Sequence, residues 1–143
     1  MNTVLGELDL DHVIDLCQKL VVELQAVKDA TFGEMIYALT VTVAKMLALK
    51  GASRAAQHFK TGMAEPLALV ADPSRAIPCN QAIVKFTETL NVIDINDLPA
   101  VCALCATKIA EVACGEANGA YITRLWKETL LIAAAERQPN AGW

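Results

Sequence analysis

Glycine and proline are scarce, at 7 and 5 of 143 residues. Turns are therefore few. A sandwich or barrel of many short strands is excluded, because it needs turn signals roughly every 8–12 residues. Aromatic residues are only 5% and charged residues only 20%, while hydrophobic residues make up 55%. Low charge with high hydrophobicity excludes a disordered chain. Other absences narrow the chemistry. There is no Gly-rich phosphate loop and no Gly-x-Ser-x-Gly elbow. The only histidines, His12 and His58, are isolated in the sequence. Neither belongs to the His-x-x-x-His or Glu-x-x-His pairs that helical metal sites use. No cofactor and no metal is therefore expected.

The N-terminus has no basic start and no long apolar run before Glu7 and Asp9, so no secretory signal is expected. No window approaches the roughly 18 uncharged apolar residues of a membrane span. The longest candidate, Met35 to Leu49, is interrupted by Lys45 and two threonines. Cysteines number five, at positions 17, 79, 102, 105 and 114. An odd count without a signal implies reduced thiols and a cytoplasmic location.

What is present is helical periodicity. Leu10, Val13, Cys17, Leu20, Leu24 and Val27 step by three and four, and Asp11, Asp15, Gln18, Glu23 and Lys28 lie off that seam. Asp9 is a plausible N-cap. Thr31 and Glu34 have capping-box spacing, which starts a second helix at Phe32. Gly51 supplies its left-handed stop. The short joint at residues 29–31 predicts that the two helices pack as an antiparallel hairpin. Ser53 is placed to cap a short helix that ends near Gly62. Pro66 suits a further short helix to about Ala71, and 72–74 is a loop. Pro78 and Asn80 open a helix to about Leu90, and 91–97 is a linker. Asp97 caps a helix with Pro99 in its first turn and Gly115 at its end. Asn118 starts a last helix that Pro139 stops. The expected fold is all-α: a compact bundle of about six helices with an N-terminal antiparallel helical hairpin, forming a single domain over 1–143.

Charge is segregated along the chain. Residues 1–34 hold seven acids against two bases. Residues 35–64 hold no acid and four bases: Lys45, Lys50, Arg54 and Lys60. The rest is mildly acidic, and the whole carries -4. Segregated charge steers and orients protein partners.

Three stretches resemble known motifs. The first is Cys102-Ala103-Leu104-Cys105, continuing to Cys114-Gly115. It resembles the alkylhydroperoxidase D and carboxymuconolactone decarboxylase group, small all-helical oligomers with a CxxC in a helix. That resemblance implies a thiol oxidoreductase using Cys102 and Cys105. The family places a His four residues after the second Cys, and Ile109 stands there instead, so the activating base is absent. The second stretch, Gly51 to Phe59, looks like the first half of a helix-turn-helix. Gly62, Pro66 and Leu67 would have to supply its turn and recognition helix, with almost no base-reading side chains. Net charge -4 weakens the phosphate attraction that dominates such binding, so nucleic acid is not an expected partner. The third, Leu47 to Ser53, resembles a histidine phosphotransfer helix, but Leu47 stands in place of the phosphoryl-accepting His.

With catalytic constellations missing, the reading is a small, non-enzymatic cytosolic protein that acts by binding another protein. It would serve as an adaptor, an inhibitor or an immunity-type partner, and form a homodimer. The expected interaction residues are Leu10, Val13, Cys17, Leu20 and Leu24 on the first helix, with Lys45, Lys50, Arg54 and Lys60 on the basic stretch. The alternatives are the thiol oxidoreductase and a weak helix-turn-helix regulator.

Overall fold

Side-chain spacing sets the first helix. In the computed structural model, which describes residues 10–64, 67, 73–90 and 98–136, α1 spans Leu10–Gln25. It buries Val13, Leu16, Cys17, Leu20 and Leu24 and exposes Asp11, Asp15, Gln18 and Glu23. The chain then reverses through Asp29, whose φ of 62° lies in the left-handed region that Asp tolerates better than most residues. Helix α2 (Phe32–Leu49) starts with the predicted capping box. The Glu34 N–H donates to Thr31 Oγ1 at 3.2 Å, and the Thr31 N–H donates to Glu34 Oε1 at 3.0 Å. Its end is equally local. Gly51 takes φ 83°. Its N–H donates to the Ala48 carbonyl at 3.0 Å, and the Ala52 N–H donates to that of Leu47 at 2.8 Å. Ala52 and Leu47 are both buried beneath this cap, so both the carbonyls and the apolar closure of a Schellman end are present.

Helix α3 (Ser53–Met63) departs from expectation at its start. The cap position is Ala52, not Ser53, and it makes no side-chain bond. The first-turn amides turn instead to a distant carboxylate. Arg54 N–H donates to Glu136 Oε1 at 2.7 Å, and Ala55 N–H donates to Oε2 at 2.9 Å. A 3₁₀ turn over Pro73–Ala76 leads into α4 (Ile77–Leu90). Helix α5 (Leu98–Cys114) carries Pro99 in its first turn and stops at Gly115, φ 94°. Helix α6 (Glu116–Glu136) begins two residues before Asn118, whose amide donates back to the Cys114 carbonyl at 2.9 Å. The expectations at Asp9, Asp97, Pro66 to Ala71 apart from Leu67, the linker 91–97 and Pro139 lie outside the described residues.

The helices form two layers of three. One layer holds α1, α5 and α6 side by side, and the other holds α4, α2 and α3. Across the layers α1 meets α4, α5 meets α2 and α6 meets α3. Among the described residues the bundle of six α-helices is thus as expected, but the N-terminal hairpin is not a packed pair. The α1 stripe lies on α5 and α4 rather than on α2. The reason is that α5, rich in alanine and cysteine, is buried almost all round and needs a cover on each side. Helix α2 occupies the matching central position. It is long and apolar enough to cross a membrane by length and composition, with mean hydropathy 1.4 over 18 residues, of which half are buried inside the bundle. That run is longer than the expected Met35 to Leu49.

One apolar cluster joins both layers. Phe59 of α3 meets Trp126 of α6 edge to face, with ring centroids 5.8 Å apart. Gly62 lets these two helices close, since a Cβ there would collide with the Leu125 side chain. Tyr121 Oη donates to the Gly62 carbonyl at 2.8 Å across the same contact.

Candidate functional site

Three of the five cysteines converge between α1 and α5. Cys17, Cys102 and Cys105 are each buried, at 2% exposure or less. Cys105 lies within hydrogen-bonding reach of Cys17, which pushes the Cys105 thiol up and holds Cys17 below its ordinary value. Burial in apolar surroundings pushes Cys102 up to about 12. At neutral pH Cys102 is thus a thiol, whereas the reacting species in exchange is the thiolate. Ile109, in the position the resembling family gives to His, is itself buried. Cys79 is also buried and raised, first by desolvation and then by the Glu34 carboxylate, while Cys114 is exposed. Among the described residues no group of three or more His, Cys, Asp or Glu could hold a metal ion.

The accessible candidate is a groove on the outer face of the second layer, between α2 and α3. Its volume is about 310 Å³. Helix α2 lines it with Val41, Ala44, Lys45 and Ala48; α3 lines it with Ser53, Ala56, Gln57 and Lys60. Both sets follow i, i+3, i+4, i+7, so each helix presents one face to the groove. Three alanines make a shallow apolar floor that a third helix backbone could approach. Lys45 and Lys60 stand exposed at its edges. Residues 35–64 themselves hold no carboxylate, and Glu88 of α4 lines the neighbouring cleft that Lys45 also borders.

Lys45 also borders a second cleft, between α2 and α4, of about 480 Å³. That cleft is mostly apolar, through Val41, Met46, Ile83, Val84 and Leu98, with Asn80 and Glu88 of α4 among its polar walls. The hydroxyls of Thr42 and Thr87 on its walls already donate to the Ala38 and Ile83 carbonyls of their own helices. The ridge of α2 carrying Val41 and Lys45 therefore divides two adjoining depressions on one face.

The expected interaction residues separate into two groups on this geometry. Val13, Cys17, Leu20 and Leu24 form no outward seam: each is 2% exposed or less, buried against the rest of the same chain. They are corrected to core residues, because an apolar stripe is satisfied by the nearest apolar cover and α5 supplies it. Leu10 begins α1, but its side chain lies outside the described residues. Lys45 and Lys60 line the groove. Arg54 is exposed on the first turn of α3, and Lys50 is half-buried at the C-cap of α2. Cys102 and Cys105 are interior. Ala55 and Ala56, within the stretch that looks like the first half of a helix-turn-helix, are buried in α3, which packs on α2 and α6. Sequence reasoning missed the alanines of the groove floor; the i, i+4 pair Ala44 and Ala48, on the same face as Lys45, was the available signal. Compared with known proteins, the chain matches no family model, no curated protein and no solved structure.

Proposed function

We propose that this chain acts without catalysis, as a cytoplasmic interaction protein of the adaptor, inhibitor or immunity type. Its working surface is the α2–α3 groove, and the occupant is an amphipathic helix with negative charge on its binding face. The observation that carries this reading is the groove itself: an alanine floor flanked by two lysines, in a stretch with four bases and no acid. Helix-in-groove recognition uses apolar contact for affinity and flanking charge for orientation and on-rate.

Site-specific photo-crosslinking tests it. A photoreactive residue replaces Gln57, which lines the groove, in the full chain within its native cells. A discrete protein adduct is expected, and it should be lost on Lys45→Glu with Lys60→Glu. No adduct, or one indifferent to the charge reversal, would overturn the reading.

A further inference from the structure

We propose that the helix received by the α2–α3 groove is α1 of a second copy of this chain, presented by its outer face. This rests on the groove reading above and names its occupant. Helix α1 has two faces, and the core uses only one. Opposite the buried stripe stand Asp11, Ile14, Asp15, Gln18 and Val22, again at i, i+3, i+4, i+7 and i+11. Ile14 is 40% exposed and Val22 63% exposed. They are two large apolar side chains on the same stripe, two turns apart, and both are exposed. An isolated exposed apolar residue is unremarkable, but a pair aligned on a stripe is the pattern of a docking helix.

The charges match in sign. Asp11 and Asp15 sit one turn apart in the first half of α1, and Lys45 and Lys60 edge the groove. Asp15 pairs with Lys19 at 3.0 Å, but both side chains are more than half exposed, and such i,i+4 surface pairs yield readily to a better partner. Residues 1–34 hold seven acids against two bases, and residues 35–64 hold four bases and no acid. Each copy thus carries the two complementary surfaces.

Those surfaces differ and belong to different layers, with α1 at the edge of one and the groove on the face of the other. The contact is therefore heterologous, and each copy offers one donor helix and one receiving groove.

Charge-swap sedimentation tests this on the full chain. Three proteins are compared: the wild type, a groove variant (Lys45→Glu with Lys60→Glu) and an α1 variant (Asp11→Lys with Asp15→Lys). All substituted side chains are exposed, and circular dichroism confirms that each variant folds. The wild type should associate with rising concentration, more strongly at low salt. Each variant alone should associate at least about tenfold more weakly, and an equimolar mixture of the two should recover the association. A wild type that stays monomeric, or a mixture that does not recover, overturns the self-docking proposal. The Gln57 adduct separates the two readings. An adduct with a different, charge-dependent partner from a monomeric chain leaves the groove reading standing and removes the second copy. Loss of every adduct removes both.

Discussion

Cys102 shows how a single side chain can look reactive in sequence and be inert in place. The CxxC spacing puts Cys102 and Cys105 on one helical face, and that part was legible because three residues are nearly one turn. The spacing could not reveal that α5 is enclosed by α1, α2 and α6, leaving both sulfurs without solvent. Nor could it show that a third thiol, Cys17, arrives from a helix more than 80 residues earlier. Native-state alkylation of Cys102 and Cys105 should be slow at pH 7 and fast once the chain is unfolded, measured by mass spectrometry of labelled peptides. Rapid native labelling would restore the oxidoreductase reading. Alkaline stability gives an independent check. The Cys102 thiol is pushed from 9.0 up to about 12 in the folded chain. Between those values the unfolded chain releases the proton and the folded chain keeps it, so stability falls as pH rises through that window and is untouched below it. Urea unfolding from pH 8 upward should show a shallower alkaline decline for Cys102→Ala than for the wild type.

At the scale of helices, the ends divide into local and distant solutions. The capping box of α2 and the glycine stops at Gly51 and Gly115 were readable because every partner lies within five residues. The start of α3 was not. Its donors find Glu136, 82 and 81 residues away, and no spacing rule connects them. Ser53 looked like the cap because it is the right residue type one position late. Glu136 fixes the first turn of α3 against the last turn of α6, with a charge-assisted bond to each of two amides. Glu136→Ala should lower unfolding free energy by about 1–2 kcal/mol in urea denaturation, the range of a lost N-cap. Amide exchange at Arg54 and Ala55 should speed up with it. Glu136→Gln should fall between the two. Unchanged exchange at both amides would show that this carboxylate does not hold the turn in solution.

For the molecule as a whole, composition and periodicity were sufficient to read an all-α bundle, since nearly every long segment repeats at 3.6 residues. They were insufficient for its layering. The α1 stripe would fit any apolar cover, and the shortness of the 29–31 joint favoured α2; the structure pairs α1 with α5 and α4 instead. The groove was half legible: its lysines stood out as a carboxylate-free stretch, while its alanine floor depends on two helices lying side by side. Layering also changes what a core substitution does. Leu20 is fully buried in α1. Leu20→Asp places an unpaired carboxylate in that interior and should cost at least about 3 kcal/mol. Circular dichroism melting should therefore show lost helix, not a folded chain with altered association. A folded Leu20→Asp protein with native melting would mean that α1 does not dock there.

The same layering has a consequence for synthesis. Helix α1 precedes the helices it packs on, and 89 residues separate Gln25 from Cys114, the last residue of α5. At roughly 5–20 residues per second, ribosomes take on the order of 4–18 seconds to cover that distance. The α2–α3 and α5–α6 contacts, by comparison, close between neighbours in the chain. Throughout that interval the Val13–Leu24 stripe has no α5 to cover it. The nascent chain therefore has an early window in which a chaperone would find an apolar helix, and slower elongation between α1 and α5 would lengthen that exposure.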